Sequence, residues 1–281
     1  MALILATPRW RLVDRLLAGY GIVVALIGAT RWTQRAMLPL IAAHVALAGL
    51  AWLAVRAPES ATGRFLRTAY PLLILTALYS SIDALNGFGA AVTHDDLLQR
   101  IESGLFGGQP SRDWWRASPS DFWSTLLHAV YFSYYVIVPI PALYFLATRR
   151  AAALEQYLNA VIATFLACYI CYMLFPVAGP YYEFARPAGQ FINNGPARLV
   201  YRALSSGSAF GAAFPSSHVA ATVAATVGAW FGSRRLAMIL AVPTALLAVG
   251  VVYCQMHYVL DSVAGVVVGV TVPLMVIRRT A

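Results

Sequence analysis

Apolar runs of eighteen residues or more recur along almost the whole chain, and they leave few architectures open. In hydrocarbon every backbone N–H and C=O must be bonded within the protein, and runs of this length satisfy that demand as helices. We read eight spans, over residues 12–30, 36–55, 68–86, 120–147, 156–175, 214–232, 236–256 and 258–277. The expected fold is all-α, a polytopic integral membrane helical bundle of about eight transmembrane helices. The first run follows Arg9, Arg11 and Arg15 and has some character of a signal peptide. No clean small-residue cleavage site precedes Arg31, so it is read as a retained helix.

Charge supports the same class. Only 11% of residues are charged, where soluble domains carry about 25%. All 20 basic residues are arginine, and the net charge of +9 raises the question of nucleic acid. The arginines, however, sit in pairs beside apolar runs rather than along one stripe, which argues against a nucleic-acid surface. With the N-terminus cytoplasmic, the inner segments hold twelve of the arginines and three acids, Asp14, Glu59 and Glu155. The outer segments hold the other eight arginines and eight acids. Cytoplasmic loops are the arginine-rich ones, so both termini are expected inside and the long segments 87–119 and 176–213 outside. The lack of lysine suggests a GC-rich genome, hence a bacterial plasma membrane. Cys168 and Cys171 lie in an apolar run and read as core thiols; Cys254 has no evident partner.

Chemistry-bearing residues gather at the ends of apolar segments. In Phe214-Pro215-Ser216-Ser217-His218, proline opens a helix whose first N–H groups lack intrahelical acceptors. Such a terminus, with the hydroxyls of Ser216 and Ser217, suits a phosphate, and His218 in the first turn can exchange a proton with it. A capped transmembrane helix with an interfacial histidine would look the same. His257 and Asp261 shift the balance: four residues apart, they share a helix face, where the carboxylate can fix the tautomer of a nucleophilic imidazole. By the span assignment both sites open on the outer side. Arg186 in the second outer segment suits a phosphate dianion, or lipid headgroups.

Other residues carry less. Asp83, Tyr181, Tyr182 and Glu183 are candidate substrate contacts. His94-Asp95-Asp96 fits a helix start better than a metal site. His44 and His128 read as hydrogen-bonded bundle residues, and Tyr131, Tyr134 and Tyr135 as packing and interfacial residues. Trp114-Trp115 suits an interfacial or re-entrant helix in the first outer segment. A transporter would place ionisable groups near the midplane of several spans, whereas here they cluster at one outer edge. That leaves transport, like a silent lipid-binding scaffold, behind catalysis.

These residues resemble the motifs of the type 2 phosphatidic acid phosphatase superfamily, which includes glucose-6-phosphatase and vanadate haloperoxidases. Ala213–His218 resembles its second motif, with Ser217 in place of glycine; His257-x-x-x-Asp261 resembles the third, and Arg186-Pro187 the end of the first. The resemblance spans roughly residues 70–277. It implies a six-helix catalytic core over 68–281, preceded by two transmembrane helices in 1–67. It also implies a nucleophilic His257 that forms a phosphohistidine, with Asp261 as its partner and His218 as acid and base. No cofactor or metal is implied, membrane lipids serve as substrate and candidate acceptor, and the oligomeric state is left open. Two departures stand out: Gly179 replaces the usual lysine of the first motif, and Val251 the usual arginine before the nucleophile. With the 179–183 approach and Tyr253, these look most like the inositol phosphorylceramide synthase branch, and so like headgroup transfer. A lipid phosphate phosphatase using water is the alternative.

Overall fold

The computed structural model describes residues 10–30, 37–58, 60–86, 91–207 and 209–280. Arg9, Arg31, Glu59, residues 87–90 of the first outer segment and Ser208 of the second lie outside them. Among the described residues there are helices and turns but no β-strand; one isolated parallel bridge pairs Val177 with Ala212. The chain divides into two compact units, Met1–Ala90 and Ala91–Ala281.

The first unit holds α1 (Leu12–Thr30), α2 (Met37–Val55), α3 (Ala61–Ser80) and the short α4 (Ile82–Leu85). Its apolar helices are pinned by one polar cluster. Asp14, 2% exposed, takes the Arg11 guanidinium at 3.1 Å and a hydrogen bond from the Tyr70 hydroxyl of α3. Arg11 also donates to the Arg67 carbonyl at 2.6 Å, so the buried charge is paired as burial demands.

The second unit starts with two short helices, α5 (Asp95–Phe106) and α6 (Pro110–Ala117). Asp95 and Asp96 lie in the first turn of α5, where the helix dipole favours anions, and Gly107 closes it at φ 72°. Pro110 opens α6, and Asp113 reaches back to accept from the Gln109 N–H at 2.9 Å. The polar face of α5 is turned inward: Asp95, Leu98 and Glu102 are buried, while Leu97, Ile101 and Leu105 are exposed.

The expected 120–147 span is broken into α7 (Asp121–Phe132), α8 (Tyr134–Ile137) and α9 (Pro139–Ala147). Pro139 and Pro141 have no N–H to give to the preceding turn, which accounts for the second break, at Val138. Next comes α10 (Ala151–Leu174), buried around its whole circumference as the central helix of this unit. The 176–213 segment forms α11 (Pro180–Glu183), a 3-10 turn (Gly189–Ile192) and α12 (Gly195–Gly207). Then α13 (Ser217–Gly232), α14 (Arg234–Tyr253) and α15 (Val259–Thr280) complete the bundle, with α13 packed against α10, α14 and α15.

Among the described residues six helical stretches are long and apolar enough to cross a membrane, the pattern of an integral membrane protein: Leu12–Thr30, Phe65–Leu85, Asp121–Ala147, Ala151–Leu174, Arg234–Tyr253 and Val259–Arg278. Two expected spans are not among these six. The expected 36–55 span is α2, of 19 residues with Leu40–Val55 as its apolar stretch, and α13 has 16 residues. At 1.5 Å per residue α13 covers about 24 Å of a hydrocarbon core roughly 30 Å thick. The helix is shorter than the expected 214–232 because the chain bends at Phe214 and Pro215 before it, with Ser216 as its cap.

Packing between α13 and α15 sets up the functional site. A Cβ on Gly265 would stand 2.7 Å from the Ser216 carbonyl oxygen, and one on Gly269 2.5 Å from that of Ala220. Glycines four apart on one face let two helix backbones touch, as small residues do between membrane helices.

Candidate active site

His218 lies in the first turn of α13, with one aromatic ring on each flank. Tyr131 stacks on the imidazole at 4.8 Å between ring centroids, with its hydroxyl 3.3 Å from Nε2. Tyr134 approaches to 4.6 Å. Both come from the broken α7–α8 segment.

His257 sits in the turn joining α14 to α15. The turn is sharp: the N–H groups of Met256 and His257 both reach the Val251 carbonyl, at 2.9 and 3.0 Å. Gln255 holds it at φ 57°, an unusual value for a residue other than glycine. Its buried side chain compensates with full pairing. Oε1 accepts from Trp115 Nε1 and Arg116 Nη1, each at 2.9 Å, and Nε2 donates to the Ala185 carbonyl at 3.0 Å. Asp261, fully buried in the first turn of α15, accepts from the Tyr258 N–H at 2.8 Å. Its Oδ2 lies 3.4 Å from His257 Nδ1. The two imidazoles face each other with centroids 6.1 Å apart and planes inclined by 55°. A backbone bond from Ser216 N to the Asp261 carbonyl, 3.0 Å, ties the two helix starts together.

Burial drives His257 toward its neutral form, which a hydrogen bond to the Ala213 backbone opposes. A neutral ring with one nitrogen toward a carboxylate is the state a nucleophilic imidazole needs. The Glu102 carboxyl is held above the usual glutamate range by burial, against the opposing hydrogen bond from Leu260, and Asp261 pushes it the same way as burial. Burial likewise raises Glu183, and Asp95 adds to the effect.

The Glu102 shift has a measurable sign. A carboxyl whose folded pKa is raised holds its proton in the folded protein at a pH where the unfolded chain has released it. Stability should therefore rise as pH falls from the raised value to the ordinary glutamate value, and Glu102→Gln should flatten that rise. Thermal unfolding of both proteins between about pH 4 and 7 measures it. Parallel curves would show that Glu102 does not titrate in this way.

A profile of the PAP2 superfamily matches residues 100–274, both histidine motifs included. The chain belongs to the PAP2 superfamily. Membership points to phosphatase or phosphotransferase chemistry on lipid phosphates. No curated protein and no solved structure matches the chain.

Within this PAP2 site, two expectations need correction. The start of α13 is not an open set of donors. Ser217 N–H donates to the Tyr172 hydroxyl at 3.1 Å, Val219 N–H to Ser216 Oγ at 3.4 Å, and Ala220 N–H to the Ser216 carbonyl at 2.9 Å. The Ser216 oxygen is thus the helix cap, wholly buried, and Ser217 is 7% exposed. The second correction concerns Tyr131 and Tyr134, which are neighbours of His218 and not only packing; Tyr135 is 55% exposed.

Arg186 is exposed and stands over the Tyr181 ring at 4.5 Å, so its described contact is with the loop and not with either histidine. Tyr182 packs edge-on against Tyr181 and Phe210. Asp83 belongs to α4 of the first unit. His44 and His128 bond backbone carbonyls one turn back, as expected, at 2.9 and 2.8 Å. Cys168 and Cys254 are buried free thiols, whereas Cys171 is only partly buried.

The two motif departures have structural reasons. Gly179 has φ 90°, and a Cβ there would stand 2.8 Å from Ala213 Cβ, so no lysine fits this backbone. Val251 is fully buried in an apolar cluster with Leu127, Leu247 and Tyr253, a place closed to an arginine. Arg116 does bond to the turn that carries His257, through the Gln255 side chain, and to the Ala185 carbonyl. Sequence reading missed it; its one signal was its place directly after the Trp114-Trp115 anchor.

Proposed function

We propose that this protein is an integral-membrane lipid phosphotransferase that works through a phosphohistidine on His257, with a lipid hydroxyl as the favoured acceptor. The observation carrying the reading is the pair of facing imidazoles, 6.1 Å apart, with Asp261 behind one and Tyr131 beside the other. In the first step a nitrogen of His257 attacks phosphorus. The N–P bond forms as the bond to the leaving oxygen breaks, and His218 gives its proton to that oxygen. In the second step His218 takes the proton of the acceptor hydroxyl, whose oxygen displaces His257 from phosphorus. Asp261 holds the imidazole and balances the charge that develops on it. Arg186, Arg116 and the Ser217 hydroxyl are the groups available for the phosphoryl oxygens, with Tyr181, Tyr182 and Glu183 as outlying substrate contacts.

Headgroup transfer of the kind carried out by inositol phosphorylceramide synthases is favoured by the closed positions 179 and 251, which supply none of the cations expected of a phosphatase acting with water. The arginine count supports a site on the extracytoplasmic face of a bacterial plasma membrane, with both termini inside. Purified protein would be given labelled phosphatidylinositol or phosphatidic acid, with and without ceramide or diacylglycerol. The expected result is label on the acceptor lipid and vanadate-sensitive turnover. Free phosphate alone, whatever the acceptor, would make the protein a lipid phosphate phosphatase. No transfer or release from any lipid would remove the enzymatic reading.

A further inference from the structure

The outer helix α5 has no part in the chemistry above, and Asp95 and Gln99 precede the residues matched to the family. Yet its inward face reaches both walls of the site. Asp95, 2% exposed, accepts from Ala178 N at 2.8 Å through Oδ2, from Gly179 N at 2.8 Å through Oδ1, and from the Tyr258 hydroxyl at 3.1 Å. Gln99 donates to the same hydroxyl at 2.9 Å. Glu102, fully buried, accepts from Leu260 N at 3.0 Å. Asp95, Gln99 and Glu102 fall one turn apart along one helix face.

What these bonds hold is specific. Ala178 and Gly179 follow Val177, whose carbonyl takes the Ala213 N–H at 3.0 Å and so fixes the strand of chain leading to His218. Tyr258 and Leu260 bracket the first turn of α15, between His257 and Asp261. Helix starts leave N–H groups without partners, and Glu102 supplies one from outside the helix. A carboxylate accepting several N–H bonds in a buried place is a strong and directional tether. Without it, those buried N–H groups would be left unpaired.

We infer that α5 is a clamp on the catalytic pair, with Asp95 and Glu102 as positioning residues. Asp95 sets the 176–179 chain that carries the approach to His218, and Glu102 sets the start of α15 that carries Asp261. The inference rests on the proposed phosphoryl chemistry for its effect on turnover, though not for the clamp itself.

The test joins two readouts on full-length protein in detergent micelles. Hydrogen exchange is followed at residues 176–180 and 258–262 in wild type, Asp95→Ala, Asp95→Asn, Glu102→Ala and Glu102→Gln. Turnover of phosphatidic acid is measured in mixed micelles, with kcat and KM separated. Glu102→Ala should speed exchange at 258–262 and lower kcat by about tenfold or more at nearly constant KM, since catalytic geometry is sensitive to small displacements. Glu102→Gln keeps an acceptor for Leu260 N and should restore most of kcat. Asp95→Ala should loosen 176–180, and Asp95→Asn, which retains one acceptor oxygen, should loosen it less. Unchanged exchange in both alanine variants would overturn the clamp. Faster exchange with undiminished kcat would overturn the positioning role, as would a Glu102→Gln protein as impaired as Glu102→Ala. A wild type inactive on every lipid phosphate would instead count against the proposed function, and the exchange data would still decide the clamp.

Discussion

His257→Ala is expected to leave a folded membrane protein that has lost lipid phosphoryl transfer by a factor on the order of 10⁴ or more, because no other group can form the covalent bond. The folded state should survive: the turn is fixed by backbone bonds to Val251 and by the Gln255 side chain, none of which uses the imidazole. His218→Ala should differ in kind. A general acid contributes about 10²–10⁴-fold, and most where the leaving group needs its proton. Lipid alkoxides do; nitrophenolate does not. The His218→Ala defect should therefore be large on phosphatidic acid and much smaller for phosphoenzyme formation from p-nitrophenyl phosphate. The His257→Ala defect should be equally complete on both. Trapped radiolabelled protein, stable to alkali and labile to acid, measures the first step directly. Retained labelling in His257→Ala would assign the nucleophile elsewhere.

The second large effect is expected far from any reacting atom, at Gly265. In an exposed helix interior glycine to alanine is favourable by about 1 kcal/mol. At Gly265 the new methyl would meet the Ser216 carbonyl at 2.7 Å and Val219 Cβ at 3.0 Å. Backbone at that distance cannot turn aside, so α13 and α15 must separate. Overpacking of this sort costs typically about 1–3 kcal/mol. The atom that is pushed belongs to the cap of the helix carrying His218, and the helix that pushes carries Asp261. Displacement of about 1 Å in such a site is worth roughly 10²-fold in rate. Gly265→Ala should thus lower both the unfolding temperature and kcat, while Gly19→Ala, with nothing within 4 Å, should lower neither. Thermal unfolding by tryptophan fluorescence beside the lipid assay measures both. Wild-type turnover in Gly265→Ala would show that the α13–α15 seam does not set the distance between the histidines.

The reactive pair was legible because its geometry is local. His257 and Asp261 are one helical turn apart, and Pro215 with the serines marks a helix start, so spacing alone put the groups on definite faces. The long apolar runs fixed the helical membrane class in the same way. What escaped reading depends on contacts across the sequence. Tyr172, 45 residues before Ser217, uses up a donor that the chain by itself leaves open. Glu102 meets Leu260 across 158 residues, and Asp95 meets Tyr258 across 163. No periodicity records such pairings. Tyr131 and Tyr134 passed as packing residues because aromatic side chains in a membrane span are ordinary; only the fold brings them beside His218. Pro139 marks one of the two breaks in 120–147, whereas the break at Ser133 has no signal in a run of continuous apolar content.

The shortness of α13 bears on how the protein is made. At 16 residues, with Ser216, Ser217 and His218 at its leading end, it is a weak substrate for insertion on its own merits. Its buried faces are lined by alanine and glycine, a surface that gains little from lipid and much from neighbouring helices. During synthesis α10 precedes it, while α14 and α15 emerge later. The histidine-bearing helix must therefore be retained against α10 until its remaining partners arrive, so integration of the catalytic segment is a late, cooperative event in biogenesis.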